Sequence, residues 1–186
     1  MVQERTRKIV ITGVLSAISI FLGVTRLGFI PWVTGASLTI MQVPVILGAV
    51  LEGPIVGLVV GLVFGIFSLI QAAVAPTGPT DVWFTNPLLS ILPRLFIGPV
   101  AWLIYRTLKK WKVPALIAAG IGGSLTNTIL VLGMISLLGY LPWGALPPIV
   151  LANGLPEAVA SAILVVAVVS IWWQIERRDK KEGADL

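Results

Sequence analysis

Three clusters of positive charge, set apart by long apolar runs, constrain this chain more than any other feature. Arg5, Arg7 and Lys8 precede the first apolar run, Arg106, Lys109, Lys110 and Lys112 sit mid-chain, and Arg177, Arg178, Lys180 and Lys181 form the tail. Positive residues near the ends of membrane spans stay on the cytoplasmic side. The three clusters are therefore expected on one side, with an even number of crossings between each and the next. Arg26 and Arg94 are the remaining cations and fall toward the outer half. A cation held there is expensive, which marks it as a functional residue by default.

Composition agrees with that placement. Of 186 residues, 57% are hydrophobic and 11% charged, against about 25% charged in soluble domains. A soluble core of this size cannot hide so much apolar surface, so lipid must cover it. At roughly 20 residues per span, the chain has room for about six. The expected fold is all-α, a six-transmembrane-helix bundle with both termini cytoplasmic, occupying residues 1–186 as a single membrane domain of the cell membrane, in a bacterial-type plasma membrane. The net charge of +5 belongs to the topology clusters and suits anionic headgroups, so no nucleic-acid partner is expected. The chain has neither Cys nor His, which removes disulfides, thiol catalysis and the usual zinc and haem ligand sets; no metal or cofactor is expected. The charged and then apolar N-terminus lacks a small-residue cleavage site followed by a soluble chain, and reads as the first span rather than a signal peptide.

The expected spans are residues 8–24, 39–51, 55–73, 88–105, 114–138 and 148–173. The second is short, and a tilted or partly re-entrant helix would also fit it. Glu52-Gly53-Pro54 breaks the chain after it, since proline disfavours helix at the preceding residue and glycine supplies the turn. Gly57, Gly61 and Gly65 strip one face of the third span and let another backbone approach. Pro93 and Pro99 are expected to kink the fourth. Trp32, Trp83 and Trp143 fall in outer loops, and Trp111, Trp172 and Trp173 at inner ends, as two interfacial belts require. No internal repeat of the kind many secondary transporters carry is evident.

Once the terminal and linker charges are set aside, Arg26, Glu52, Asp81, Arg94 and Glu157 remain. Glu52 lies at an inner turn and Asp81 in an outer loop, so neither need be desolvated. Arg94 and Glu157 sit inside apolar spans. Asn153 precedes Glu157 by four residues, on the same helix face, and Asn127 is near the middle of the fifth span. One reading is an outward-facing polar pocket for a small solute, with Arg94 clamping a carboxylate or phosphate and Asn127, Asn153 and Glu157 bonding hydroxyls or amides. The other is an internal Arg94–Glu157 ion pair, with the asparagines joining helices. Both readings can hold in part, with substrate displacing a resting pair. Gln42 and Gln71, near outer span ends, are further candidate ligands. Trp83, with Phe84 and Asn86, is a candidate lid or an interfacial anchor. Arg26 either lines the mouth or snorkels to the interface. Gly13 and Ala17, at i and i+4 beside Ser16, form a small-residue strip for another helix.

No lysine follows a glycine anywhere in the chain, so there is no phosphate-binding loop of the ATPase type. Nor is there a nucleophile–His pair, a carboxylate pair in one span or a metal cluster, so no catalytic residue is assigned and no enzyme is expected. Concentrating a solute would need energy from a partner or an ion gradient.

These features together resemble the substrate-binding S components of energy-coupling factor (ECF) vitamin transporters, over nearly the whole chain. Gly13-x-x-x-Ala17 is similar to the family's A-x-x-x-A docking motif, with Gly in the first position. The run Met41-Gln42-Val43-Pro44-Val45-Ile46-Leu47-Gly48-Ala49 and Glu52-Gly53-Pro54-x-x-Gly57 resembles the junction of the second and third helices, and PRLFIGP around Arg94 is similar to the same group. The resemblance implies six helices, a pocket near the outer face, and a partner module of one membrane coupling protein and two cytosolic ATPases. That module would dock on the Gly13/Ala17 face, and the S component would topple in the membrane to deliver its solute. The junction and the proline-rich third loop look most like pantothenate-type and hydroxymethylpyrimidine-type members. Pantothenate offers a carboxylate, two hydroxyls and an amide to Arg94, Asn127, Asn153 and Glu157. Folate, cobalamin, riboflavin or another vitamin is the alternative solute. Outside the family, the rivals are a stand-alone proton-coupled transporter using Glu157 and a scaffold whose polar groups are structural.

Overall fold

The computed structural model describes residues 2–31, 37–76 and 78–182; Trp32 and Gly35 lie outside them, as do the side chains of the basic tail. Among the described residues the chain is mostly helical, with one small two-stranded ribbon. Helix α1 spans Val2–Val24. Strands β1 (Phe29–Pro31) and β2 (Ser37–Thr39) pair antiparallel, with Ile30 opposite Leu38. Helix α2 runs Val43–Glu52 and α3 Pro54–Val74. A 3-10 turn at Asp81–Thr85 leads into α4 (Pro87–Ser90) and α5 (Leu92–Leu108). Helix α6 covers Lys112–Leu137. A 3-10 turn (Trp143–Ala145), α7 (Leu146–Ile149) and a π turn (Val150–Gly154) then enter α8, Leu155–Glu182.

Five helical stretches are long and apolar enough to cross a membrane, and Val43–Glu52 is a sixth, shorter apolar helix. At 1.5 Å per residue, the ten residues of α2 span about 15 Å, half the hydrocarbon thickness. The β-ribbon and the turn at residues 40–42 precede it in the chain. Helix α2 is the axis of the bundle: it touches α1, α3, α5, α6 and α8, and Val45, Ile46 and Ala49 are fully buried. The outside is apolar as lipid requires, with Ile55, Ile70, Leu103 and Ile163 all exposed.

The stripped face of α3 is used against α5. A Cβ on Gly57 would come within 2.9 Å of the Gly98 Cα, one on Gly65 within 2.8 Å of the Ile91 Cα, and one on Gly61 would overlap the Arg94 carbonyl oxygen. These close approaches hold Arg94's backbone against α3. Pro99 is inside α5, whereas Pro93 stands in its first turn, just after the break at Ile91 that divides α4 from α5.

For one group the structure corrects the expectation. Glu52 is desolvated: its side chain is 6% exposed and accepts from Arg7 Nε at 2.8 Å, while Arg7 also lies over the Trp172 ring. The ion pair ties the start of α1 to the α2–α3 turn.

Candidate functional site

Arg94 is held by a consequence of Pro93. In a regular helix the residue at 93 donates its N–H to the carbonyl of Leu89, four positions back, and proline has no N–H to give. The Arg94 side chain, leaning back toward the helix N-terminus as helical side chains do, donates from Nη1 to that Leu89 carbonyl at 2.6 Å. Its Cζ lies 5.4 Å from the Phe64 ring centre and 5.1 Å from that of Phe84, within cation–π range. Arg94 is 5% exposed, and among the described residues its Nε is buried without a partner and no carboxylate pairs with it.

Glu157 is engaged elsewhere. It accepts the Thr39 backbone N–H at 2.7 Å and the Thr128 hydroxyl at 3.3 Å. The resting Arg94–Glu157 ion pair is therefore not formed. Gln42, at the start of α2, is fully buried in the bundle interior. Its Nε2 donates to the Thr39 carbonyl (2.9 Å), Ser124 (3.1 Å) and Ser161 (3.3 Å), while its Oε1 is buried with no partner among the described residues. Thr39 thus links both groups, giving its N–H to Glu157 and its carbonyl to Gln42. Asn127 is 5% exposed, and its Oδ1 is likewise buried without a partner among the described residues.

Arg94 and Asn127 share a level. Where α5 and α6 meet, a Cβ on Gly123 would lie 3.2 Å from that of Ala101, and further along Leu89 clusters with Val131. Arg94 and Asn127 fall between these two contacts. Thr128, beside Asn127, then carries the layer across to Glu157. The polar layer is thus a hydrogen-bonded set of Gln42, Thr39, Thr128 and Glu157, with Arg94 and Asn127 buried at a neighbouring level of α5 and α6.

Asn153 is half-buried inside the π turn that leads into α8, one turn before Glu157. Gln71 is half-buried one turn before the end of α3. Trp83 stacks on Tyr140, centres 5.3 Å apart and planes 6° from parallel, which pins the 3-10 turn to the end of α6. Asn86 caps α4 by accepting from Leu88 N at 3.0 Å, a structural task. Arg26 ends α1 as an exposed residue with a φ of 60°. Gly13 and Ala17 are exposed, and a Cβ on Gly13 would meet nothing within 4 Å.

Sequence reasoning missed Thr39, Ser124, Thr128, Ser161 and the Phe64 ring. Most of the signal was present: Ser124, Asn127 and Thr128 stand at i, i+3 and i+4 on α6, and Glu157 and Ser161 at i and i+4 on α8. Two polar stripes in otherwise apolar spans point at each other. Thr39 acts through its backbone, which no side-chain pattern reveals.

Comparison with known proteins agrees with this architecture. The chain is 29% identical over 150 residues to the pantothenic acid transporter PanT of Lactococcus lactis, covering 70% of this chain and 75% of that protein. It is 26% identical over 205 residues to the pantothenate transporter PanT of Leuconostoc mesenteroides, covering 98% of this chain and all of that protein. The family model "ECF transporter, substrate-specific component" matches residues 7–169, and the chain belongs to that family.

Proposed function

We propose that the chain captures pantothenate with high affinity and hands it to an ECF module for uptake. The observation that carries this reading is the buried Arg94 guanidinium, fixed by the Leu89 carbonyl and two aromatic faces yet neutralised by no carboxylate among the described residues. A buried charge left unpaired costs several kcal/mol, and an acidic solute relieves that cost. The orphan Asn127 Oδ1 and Gln42 Oε1 would accept from the solute's hydroxyls and amide, each recovering roughly 1–3 kcal/mol of desolvation. Glu157 would bond a hydroxyl or hold the ribbon through Thr39. Because the guanidinium is already oriented, little ordering entropy is lost on capture. Asn153, Gln71 and Trp83 belong to the rim in this reading. The pantothenate relatives favour this vitamin over other acidic ones.

The basic ends of the helices lie on the cytoplasmic side of a bacterial plasma membrane in this picture, and the ribbon faces outward. The partner module is a membrane coupling protein with two cytosolic ATPases, received on the exposed Gly13/Ala17 strip of α1. The chain binds and presents its solute; it catalyses no reaction of its own. Titration calorimetry of the purified chain in detergent with pantothenate tests the proposal. Saturable one-to-one capture is expected, with no uptake into liposomes from this chain alone. Absence of binding, or uptake driven by a pH gradient without ATPases, refutes it.

A further inference from the structure

We propose a second binding site, for an anionic phospholipid, in the groove between α5 and α6. The groove has a volume of about 450 Å3 and is walled by Phe96, Val100 and Ile104 on α5 and by Gly122, Thr126 and Ile129 on α6. Its one hydroxyl does not make it polar, because Thr126 Oγ1 donates to the Gly122 carbonyl at 2.7 Å and leaves its methyl outward. Gly122 forms the floor, where a Cβ would overlap the Ile104 side chain. An apolar channel on the lipid face of a bundle takes an acyl chain.

What the head of that lipid must be follows from the connectivity. A groove between two consecutive helices ends at the turn that joins them, and this turn is Lys109-Lys110-Trp111-Lys112, exposed throughout. The lining ends at Ile104 and Gly122, about 8 Å from Lys109 and about 15 Å from Lys112 along their helices, so the three lysines stand beyond its inner end, at the level of the headgroup of a lipid seated in the groove. Helix α6 begins in the same turn with Trp111 making no side-chain cap; Pro114 has no N–H and Ala115 donates to Trp111, so the Lys112 and Val113 amides are the helix-start donors at that spot. Lysines and free helix-start amides both favour a phosphate, and Trp111, 65% exposed, suits the headgroup level. The site takes one acyl chain of a phosphatidylglycerol-like lipid in the groove, with its phosphate on the turn. The groove runs along the same two helices that carry Arg94 and Asn127, but the headgroup turn at Lys109 is 15 residues along α5 from Arg94, about 22 Å.

Native mass spectrometry of the purified chain tests this, using phosphatidylglycerol and phosphatidylcholine of identical acyl chains. One lysine near the surface favours an anionic lipid by roughly fivefold, so the wild-type chain is expected to retain phosphatidylglycerol at least about tenfold better. Replacing the three exposed lysines together (Lys109→Gln, Lys110→Gln, Lys112→Gln) is expected to erase the preference. Val100→Trp is expected to fill the groove and reduce retention of both lipids. Equal retention of the two lipids by the wild-type chain overturns the proposal, as does a preference that survives the lysine replacements, or a second copy of the chain found in place of lipid.

Discussion

Replacing Arg94 separates its charge from its bond to Leu89, and the two have opposite consequences for the empty and loaded protein. In the empty protein the side chain gives a charged hydrogen bond to a carbonyl, worth about 1.5–3 kcal/mol, and two cation–π contacts of about 0.5–2 kcal/mol each. Against these stands the cost of burying a cation without a counter-ion, several kcal/mol. The terms nearly cancel, so Arg94→Ala is expected to shift the stability of the empty protein by no more than about 2 kcal/mol. In the loaded protein the balance differs. Removing one partner of a buried charge pair costs about 2–5 kcal/mol, which at 1.4 kcal/mol per decade weakens pantothenate binding by roughly 30-fold to 4,000-fold. Arg94→Gln keeps a donor for the Leu89 carbonyl but not the charge, and is expected to lose affinity as fully as Arg94→Ala while melting closer to wild type. Calorimetry with pantothenate and with its alcohol analogue, in which a hydroxymethyl group replaces the carboxylate, reads the charge directly. Wild type is expected to discriminate between them and both variants are expected not to. Unchanged pantothenate affinity would refute the clamp, and a parallel loss for both ligands would assign Arg94 to structure alone.

Two further predictions concern the glycines and the docking strip. Gly61→Ala is expected to destabilise the bundle by about 1–3 kcal/mol and to weaken pantothenate binding, because its Cβ collides with the Arg94 carbonyl; Gly13→Ala, with open space around it, is expected to be neutral or stabilising. Thermal melts in detergent compare them, and equal melting of Gly61→Ala and wild type would refute the packing argument. Ala17→Trp is expected to abolish pantothenate uptake by cells supplying the ECF module while leaving calorimetric affinity within about twofold, since Ala17 is exposed and small-residue strips serve helix contacts. Uptake that survives the bulky side chain would remove α1 as the docking face.

What the sequence made legible follows the physics of each element. Long apolar runs with no water to solvate their backbone are read as helices, so the all-α membrane class was legible from hydropathy, whereas the family was legible through the resemblance of its motifs, such as Met41–Ala49 and the segment around Arg94. The glycine row of α3 announced a close approach, and α5 makes it. Side-chain patterns are silent about backbone roles, which is why the Thr39 N–H and carbonyl, shared between Glu157 and Gln42, were not foreseen. The π turn at Val150–Gly154, which holds Asn153, carries no signature in the sequence, because one extra residue per turn leaves the apolar pattern of the helix intact. Glu52 was read from its place at a turn as a group that need not be desolvated, but Arg7 reaches it from another helix, a long-range pairing that no local window contains.

The polar layer also explains why an ion pair inside the bundle would be a poor design for capturing an acid. Two opposite charges in contact quench each other, and a carboxylate guest would have to displace the resident one. Here Glu157 is satisfied by a backbone N–H and a hydroxyl on one side, and Arg94 by a carbonyl and two ring faces on the other. None of Arg94's partners carries negative charge, so its position is fixed while its attraction for an anion is preserved. Pro93 favours this arrangement, because it gives no N–H to the Leu89 carbonyl and so leaves that acceptor without backbone competition from residue 93. Under the proposed function the Pro93-Arg94 pair acts as a unit: the Leu89 carbonyl, which receives no N–H from Pro93, orients the guanidinium, and the guanidinium keeps its charge for the guest.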